Sequence, residues 1–258
     1  MKIISDILLD QFRAEINFSP VDIMNGLADE EIALDYFDFN NSVSSVYSSR
    51  IEGEKIELDS YLKHRFQNVE FLPDLTKTVD DLFNAYVFIK DQPLNRKNIF
   101  EAHGILSANI LPNHLGGTIR KSMMQVINQK GQSEYVAPDQ YQVDGELEKL
   151  FSDIEFLMNE ELDDLEVFYY ASFIHFVFAK IHPMSDGNGR SARLLEKWFL
   201  IEKFGENAFA VPLERNYFNK LSDYYLNLKR AGFDYEDTDY SKALPFILMT
   251  VNSLNTEY

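Results

Sequence analysis

Between His182 and Arg193 the sequence reads H-P-M-S-D-G-N-G-R-S-A-R, a dense run of residues able to do chemistry on a phosphate. His182 is a base for an incoming hydroxyl. Asp186 is a hard oxygen ligand suited to a Mg2+ ion shared with phosphates. Gly187 and Gly189 let the backbone turn tightly and approach a ligand closely. Asn188 and the neighbouring N–H groups can hold an oxyanion. Arg190 and Arg193, three apart on an opening helical turn, both reach phosphate oxygens, with bidentate geometry available. A base, a metal ligand, an anion cradle and two cations are what phosphoryl or nucleotidyl transfer needs. Each residue alone has an ordinary explanation: a loop histidine beside proline, an Asp-Gly turn, a solvated arginine. Their order and proximity argue against that explanation for the set.

Two helices must position this run. Leu165–Ile181 (LEVFYYASFIHFVFAKI) is apolar almost all the way round and is expected as a buried helix. Pro183 biases His182 away from helical geometry, so that helix ends there. Leu194–Phe204 (LLEKWFLIEKF) is apolar on one stripe and charged on the other, the pattern of a packed amphipathic helix. The second helix turns its free N-terminal N–H groups into the loop, an arrangement that binds anions, phosphate above all.

His182, Pro183, Asp186, Gly187, Asn188, Gly189, Arg190 and Arg193 match H-P-F-x-(D/E)-G-N-G-R-x-x-R, and on these residues the chain resembles the Fic family. The resemblance implies a mainly α fold, a Fic-type helical bundle with a small β-hairpin flap beside the catalytic loop. It implies a protein adenylyltransferase that moves AMP from ATP to a Tyr, Ser or Thr hydroxyl of a target protein. His182 would deprotonate that hydroxyl and Asp186 would hold Mg2+. Gly187, Asn188 and Gly189 would cradle the phosphates, while Arg190 and Arg193 bind the β and γ groups. Met184 stands where the family usually has Phe, which plugs the loop into the core; Met is apolar and adaptable enough to fill that role.

Asn41–Gly53 (NSVSSVYSSRIEG) reads by itself as a Ser-rich loop leading into a helix. Ser48 and Glu52, four apart, share a helix face, and Gly53 terminates a helix well. Beside the first motif, Ser48, Glu52 and Gly53 resemble the Fic inhibitory motif (S/T)-x-x-x-E-(G/N), placed ahead of the core. The resemblance implies that Glu52 pairs with Arg193, taking the arginine needed for the γ-phosphate. ATP would then bind with its α-phosphate turned wrongly for in-line attack. Leu115–Val136 holds two β-rich runs around Lys130-Gly131-Gln132 and is expected as a hairpin. Gly117, Thr118, Ile119 and Arg120 match the G-x-x-R that precedes the flap of Fic proteins. The flap would hold the target by strand addition and so register its hydroxyl against His182. The plainer alternative is a surface hairpin in which Met123, Met124 and Val126 only pack.

Elsewhere the periodicity predicts helices over Lys55–Arg65, Val79–Lys90 opened by Thr78, Asn98–Leu106, Val143–Asn159, Leu213–Ala231 and Ser241–Leu254. Ile23, Leu27 and Ala28, then Ile32, Leu34 and Phe37, suggest one or two short helices near the start. His103 reads as a packed or surface histidine. Tyr224 and Tyr225 resemble a pair that follows the motif in Fic proteins, and Tyr225 is assigned to the adenine pocket. The expected division is an N-terminal helical cover at 1–40, a Fic domain at 41–232 and a C-terminal helical extension at 233–258. The domain contains the inhibitory helix, 41–53, and the flap, 115–136.

Composition narrows the partners. The 258 residues are 45% hydrophobic and 26% charged, as in an ordinary soluble globular protein. Without cysteine there are no disulfides or thiolate zinc sites, which suits a cytoplasmic protein. No apolar run is long enough for a membrane span, and MKIISDILLDQF has no signal-peptide pattern. A formal net charge of −18 argues against nucleic acid and favours basic or neutral protein partners. The expected partners are ATP and a target protein. Self-modification is open to any hydroxyl that reaches the flap, and relatives are often dimers, though no interface signal is present. Two alternatives stay open. One is a Fic-type transferase using another donor (UMP, phosphate, phosphocholine) or removing AMP; the other is a non-catalytic nucleotide- or partner-binding module. Arg193, an added cation where a γ-phosphate would lie, argues for a triphosphate donor.

Overall fold

The computed structural model describes residues 1–29, 34–71, 73–127 and 131–255. In chain order its regular elements are α1 (Leu9–Glu15), α2 (Pro20–Ala28), α3 (Tyr36–Ile51), α4 (Leu58–Gln67), α5 (Pro73–Lys90) and α6 (Arg96–Leu106). Strands β1 (Gln125–Ile127) and β2 (Ser133–Val136) come next. Six helices complete the chain: α7 (Val143–Asn159), α8 (Asp164–Ile181), α9 (Asn188–Phe204), α10 (Leu213–Asn219), α11 (Leu221–Arg230) and α12 (Leu244–Val251). The fold is mainly α, with one two-stranded antiparallel hairpin among the described residues.

A helix apolar on every side must be surrounded, and α8 is. Residues Val167–Phe178 are all buried, beneath α7, α9 and α12. A capping box starts it: Asp163 accepts from the Glu166 N–H (3.0 Å), and the Glu166 carboxylate accepts from the Asp163 N–H (2.9 Å). It stops at His182, whose φ of 50° and ψ of 58° are left-handed rather than the extended geometry usual before proline. Helix α9 is packed, as expected, but its charged stripe is not the solvent face. Glu196 and Lys197, on its supposed polar side, are fully buried. Tyr217, Thr250 and His175 surround the first, and Glu214 lies beside the second, so the charged stripe faces a polar interior instead of water.

Helix α3 is longer than expected. It begins at Tyr36, where Asp35 caps it by accepting from the Asp38 N–H, so it runs across the boundary expected at position 40. Its buried face is built of serine rather than aliphatic residues. Ser44 donates to Glu214 (3.0 Å), Ser45 to Asn41 (3.0 Å), and Asn41 to the Phe83 carbonyl (3.1 Å). Small hydroxyl side chains let α5 and α10 come close while pairing these buried polar groups.

Some boundaries moved. Helix α5 starts at Pro73, so Thr78 lies inside it, and α4 starts at Leu58. The helix expected over Leu213–Ala231 breaks at Lys220 into α10 and α11, which brings the Tyr217 and Tyr224 rings to 4.9 Å. Helix α12 is shorter than expected and is flanked by 3-10 turns. Ile32 and Lys130, invoked for an early helix and for the hairpin turn, lie outside the described residues. Chain segments far apart in sequence close the molecule. Asp153 accepts from the N–H groups of Lys2, Ile3 and Ile4 at 2.6, 2.7 and 2.8 Å. Strand β2 is flanked on its outer side by the segment at Phe233–Tyr235, through the two backbone bonds of Val136. No helix among the described residues is long and apolar enough to cross a membrane.

Candidate active site

The loop from His182 to Gly187 is held from beneath. Met184 is fully buried, in the place where the family usually sets Phe. Asn188 then closes the loop on it: its Oδ1 accepts from the Met184 N–H (2.8 Å) and its Nδ2 donates to the Met184 carbonyl (2.9 Å). Its carboxamide thus closes the loop with one Nδ2 hydrogen, and the second hydrogen of that amide is not used in the closure. Gly187, with φ of 75°, caps α9 without a side-chain bond, so the first-turn amides stay open.

Two arginines face this cradle in a chain of formal net charge −18. Arg193 is fully buried and donates to Ser48 Oγ (2.8 Å), the Ser48 carbonyl (3.1 Å), Glu52 (2.7 Å) and Tyr224 Oη (3.3 Å). Arg190 is also buried, and its Nε has no hydrogen-bond partner among the described residues. A buried guanidinium N–H with nothing to donate to fits an absent anion. Glu52 caps the end of α3, and its carboxylate reaches the start of α9. A Cβ added to Gly189 would lie 2.5 Å from Glu52 Oε1, so only glycine admits the carboxylate there. Burial alone would raise the pKa of Glu52, but the charges of Arg193 and Arg190 outweigh it and hold the carboxyl below its ordinary range. Ser48, Glu52, Arg190 and Arg193 are therefore one assembly. Gly53, with φ of 102°, turns the chain away from it.

His182 Nδ1 lies 3.2 Å from the Ala179 carbonyl, which fixes the N–H there and leaves Nε2 as the free base. Burial above all, with the nearby Arg120 charge adding to it, pushes the His182 pKa down to about 4. Asp186 is exposed, and one of its oxygens accepts the Gly187 N–H (2.6 Å), leaving the other open. Among the described residues no cluster of three metal-ligating side chains occurs. A single carboxylate fits a Mg2+ held jointly with phosphate oxygens and water, not a dedicated protein cage.

The side chains of the G-x-x-R segment turn inward. Arg120 is buried and donates to the carbonyls of His182 (2.8 Å), Ser122 (2.7 Å) and Pro138 (2.6 Å). Its own N–H donates to the Pro183 carbonyl (2.9 Å). Gly117, at φ of 65°, donates to His103 Nδ1 (2.9 Å), and Thr118 Oγ1 donates to Leu115. Ile119 packs against the core. These residues stitch the base of the hairpin to the loop, and any docking falls to the strand beyond them. There, β2 is flanked by 233–235, so β1 carries the open edge, with Met123 and Ile127 exposed.

His103, expected as a packed or surface histidine, is fully buried. His103 accepts from Gly117 on Nδ1, so Nε2 carries its proton and donates to the Asp186 carbonyl (2.9 Å). Burial lowers its pKa, in keeping with that neutral form. Of the tyrosine pair, Tyr224 is buried on Arg193, while Tyr225 is partly exposed above it and donates to the Ile51 carbonyl (3.3 Å). The available signal was helical spacing: Glu196 lies three residues after Arg193, on the same face.

Residues 93–200 match the model of the Fic/DOC family. Over 156 residues the chain is 28% identical to the protein adenylyltransferase Fic of Drosophila grimshawi, covering 59% of this chain and 29% of that relative. A solved Fic family protein from Desulfovibrio desulfuricans superposes with a TM-score of 0.75 at 21% identity, over 96% of this chain and 72% of that one. A Fic domain-containing signalling protein from Bacteroides thetaiotaomicron gives 0.63 at 17% identity, over 97% and 96%. A segment of Fic-1 from C. elegans gives 0.64 at 17% identity, over 96% and 69%. Family model, relative and fold agree with the motif that forms the loop: residues 93–200 match the Fic/DOC family and the chain has the fold of solved Fic proteins.

Proposed function

We propose that this chain is a Mg2+-dependent protein adenylyltransferase, moving AMP from ATP to a hydroxyl side chain of a target protein, and that Glu52 restrains it. The observation that carries the reading is the Glu52 carboxylate on Arg193 at the open N-terminus of α9. An anion cradle filled by the chain's own carboxylate is a cradle built for phosphate. In this reading His182 Nε2 takes the proton of the target hydroxyl. Its oxygen forms the bond to the α-phosphorus as the α–β bridging bond breaks and pyrophosphate leaves. Asp186 would hold Mg2+, which, when bound, neutralises charge on the phosphates. Arg190 and Arg193 would hold the β and γ groups, and Tyr225 would flank the adenine. The target strand would pair along the open edge of β1, at a base that Arg120 and His103 tie to the loop.

The test is transfer of label from α-labelled ATP with Mg2+ by four chains: unmodified, Glu52→Gly, His182→Ala and the double mutant. Labelled protein with Glu52→Gly, little with the unmodified chain and none without His182 is the expected result. No label in any of them, with ATP bound, would turn the reading to another donor or to a binding module.

A further inference from the structure

We propose that Tyr224 is the positioning residue of Arg193, and that His175 and Glu196 hold it to that task. The inference deepens the adenylyltransferase reading, since its first test uses ATP.

With a neutral imidazole at His175, the protons of this buried chain order in one way. Arginine only donates, so Tyr224 Oη accepts from Arg193 Nη1 (3.3 Å). The Tyr224 proton then goes to His175 Nε2 (3.0 Å), which must be the bare nitrogen. His175 Nδ1 therefore carries its hydrogen and donates to Glu196 (2.6 Å). Glu196 is held in turn by the hydroxyls of Tyr217 (2.8 Å) and Thr250 (2.6 Å). His175 and Glu196 are fully buried, and each link leaves its neighbour satisfied. His175 stands two helical turns before His182 on α8, so the chain runs one layer beneath the candidate site.

The contacts of Arg193 give the network its purpose. Ser48 Oγ, the Ser48 carbonyl and Glu52 all belong to α3 or its cap, and Tyr224 alone belongs to α11. When Glu52 leaves the cradle, Arg193 loses its charged partner. A long side chain with fewer fixed acceptors samples other rotamers. Tyr224, fixed by His175 and Glu196, stays in either state and keeps the guanidinium aimed at the cradle. It acts on the γ-phosphate through Arg193.

The experiment measures ATP and ADP dissociation constants by calorimetry in the Glu52→Gly background. Tyr224→Phe is expected to weaken ATP about tenfold, the size of one hydrogen bond to a charged group, and ADP by less than about twofold. His175→Leu should follow Tyr224→Phe, whereas His175→Gln, which keeps an acceptor and a donor, should recover part of the loss. Equal weakening of ATP and ADP, or no weakening, overturns the proposal. If the Glu52→Gly chain binds neither nucleotide, the adenylyltransferase reading has failed instead. The proposal is then decided by a double-mutant cycle of Tyr224→Phe and Arg193→Met in chemical unfolding, where coupling supports it and additivity overturns it.

Discussion

Glu52 Oε1 lies 2.7 Å from Nη2 of Arg193, across a separation of 141 residues, and the pair joins the end of α3 to the first turns of α9. The arginine is fully buried and the glutamate side chain is 30% exposed, so the two partners differ in how much they lose on separation. Removing the carboxylate leaves a buried cation short of its partner, which costs more than losing a surface pair.

That asymmetry gives a thermal prediction. Glu52→Gly should unfold at a lower temperature than the unmodified chain without nucleotide. It should gain more from ATP, about 2.7 kcal/mol at a hundredfold excess over Kd. Differential scanning calorimetry with and without ATP checks this. An ATP-induced shift no larger in the variant than in the unmodified chain would count against Glu52 as the occupant of the cradle.

The depressed pKa of His182 sets a pH profile. A base must be neutral, and a folded-state pKa of about 4 against an ordinary 6.5 keeps it neutral through the mildly acidic range. Transfer by Glu52→Gly should therefore hold its kcat/KM well below pH 6.5 and lose it as pH falls through about 4. Removing Glu52, whose charge raises the His182 pKa, moves the limb no higher. The same shift means that stability from neutral His182 is complete above 6.5 and is lost progressively as pH falls to about 4. An activity limb centred near 6.5 would contradict the assignment of His182.

His103 joins the base of the hairpin to the loop through Gly117 and Asp186. In the Glu52→Gly background, His103→Leu should lower kcat about tenfold or more, because a small misplacement of a positioned group is costly. His103→Gln, able to keep one bond, should fall between. Single-turnover transfer at saturating ATP measures it, and an unchanged rate with His103→Leu would remove His103 from the positioning scheme.

Gly117→Ala tests the same junction through the backbone. The added Cβ would lie 2.7 Å from the Phe100 carbonyl oxygen, at a φ of 65°. Strain of this kind costs about 1–3 kcal/mol, or roughly 2–4 °C per kcal/mol of melting temperature at this chain size. Thermal unfolding reads it directly. No loss of stability would show that the turn can relax away from α6.

Much of the site could be read locally. Pro183 and Gly187 set the ends of the loop, the apolar run Leu165–Ile181 had to be central, and the i, i+4 spacing of Ser48 and Glu52 put both at one side of a helix end. These are properties of neighbouring residues, so the sequence by itself determined them, along with the helical class. What it could not determine was the identity of distant partners. Periodicity assigns Glu196 and Lys197 to a polar face, but whether that face meets water or a polar interior depends on Tyr217, Thr250 and Glu214, brought from other helices. The break at Lys220 turns Tyr224 inward onto Arg193 and leaves Tyr225 partly outside, so the two adjacent tyrosines end in different surroundings. Arg120 and Asn188 belong to local motifs, but only tertiary structure shows that Arg120 binds the carbonyls of His182, Ser122 and Pro138 and that Asn188 closes the loop on Met184, because those acceptors are set by the folded loops around them.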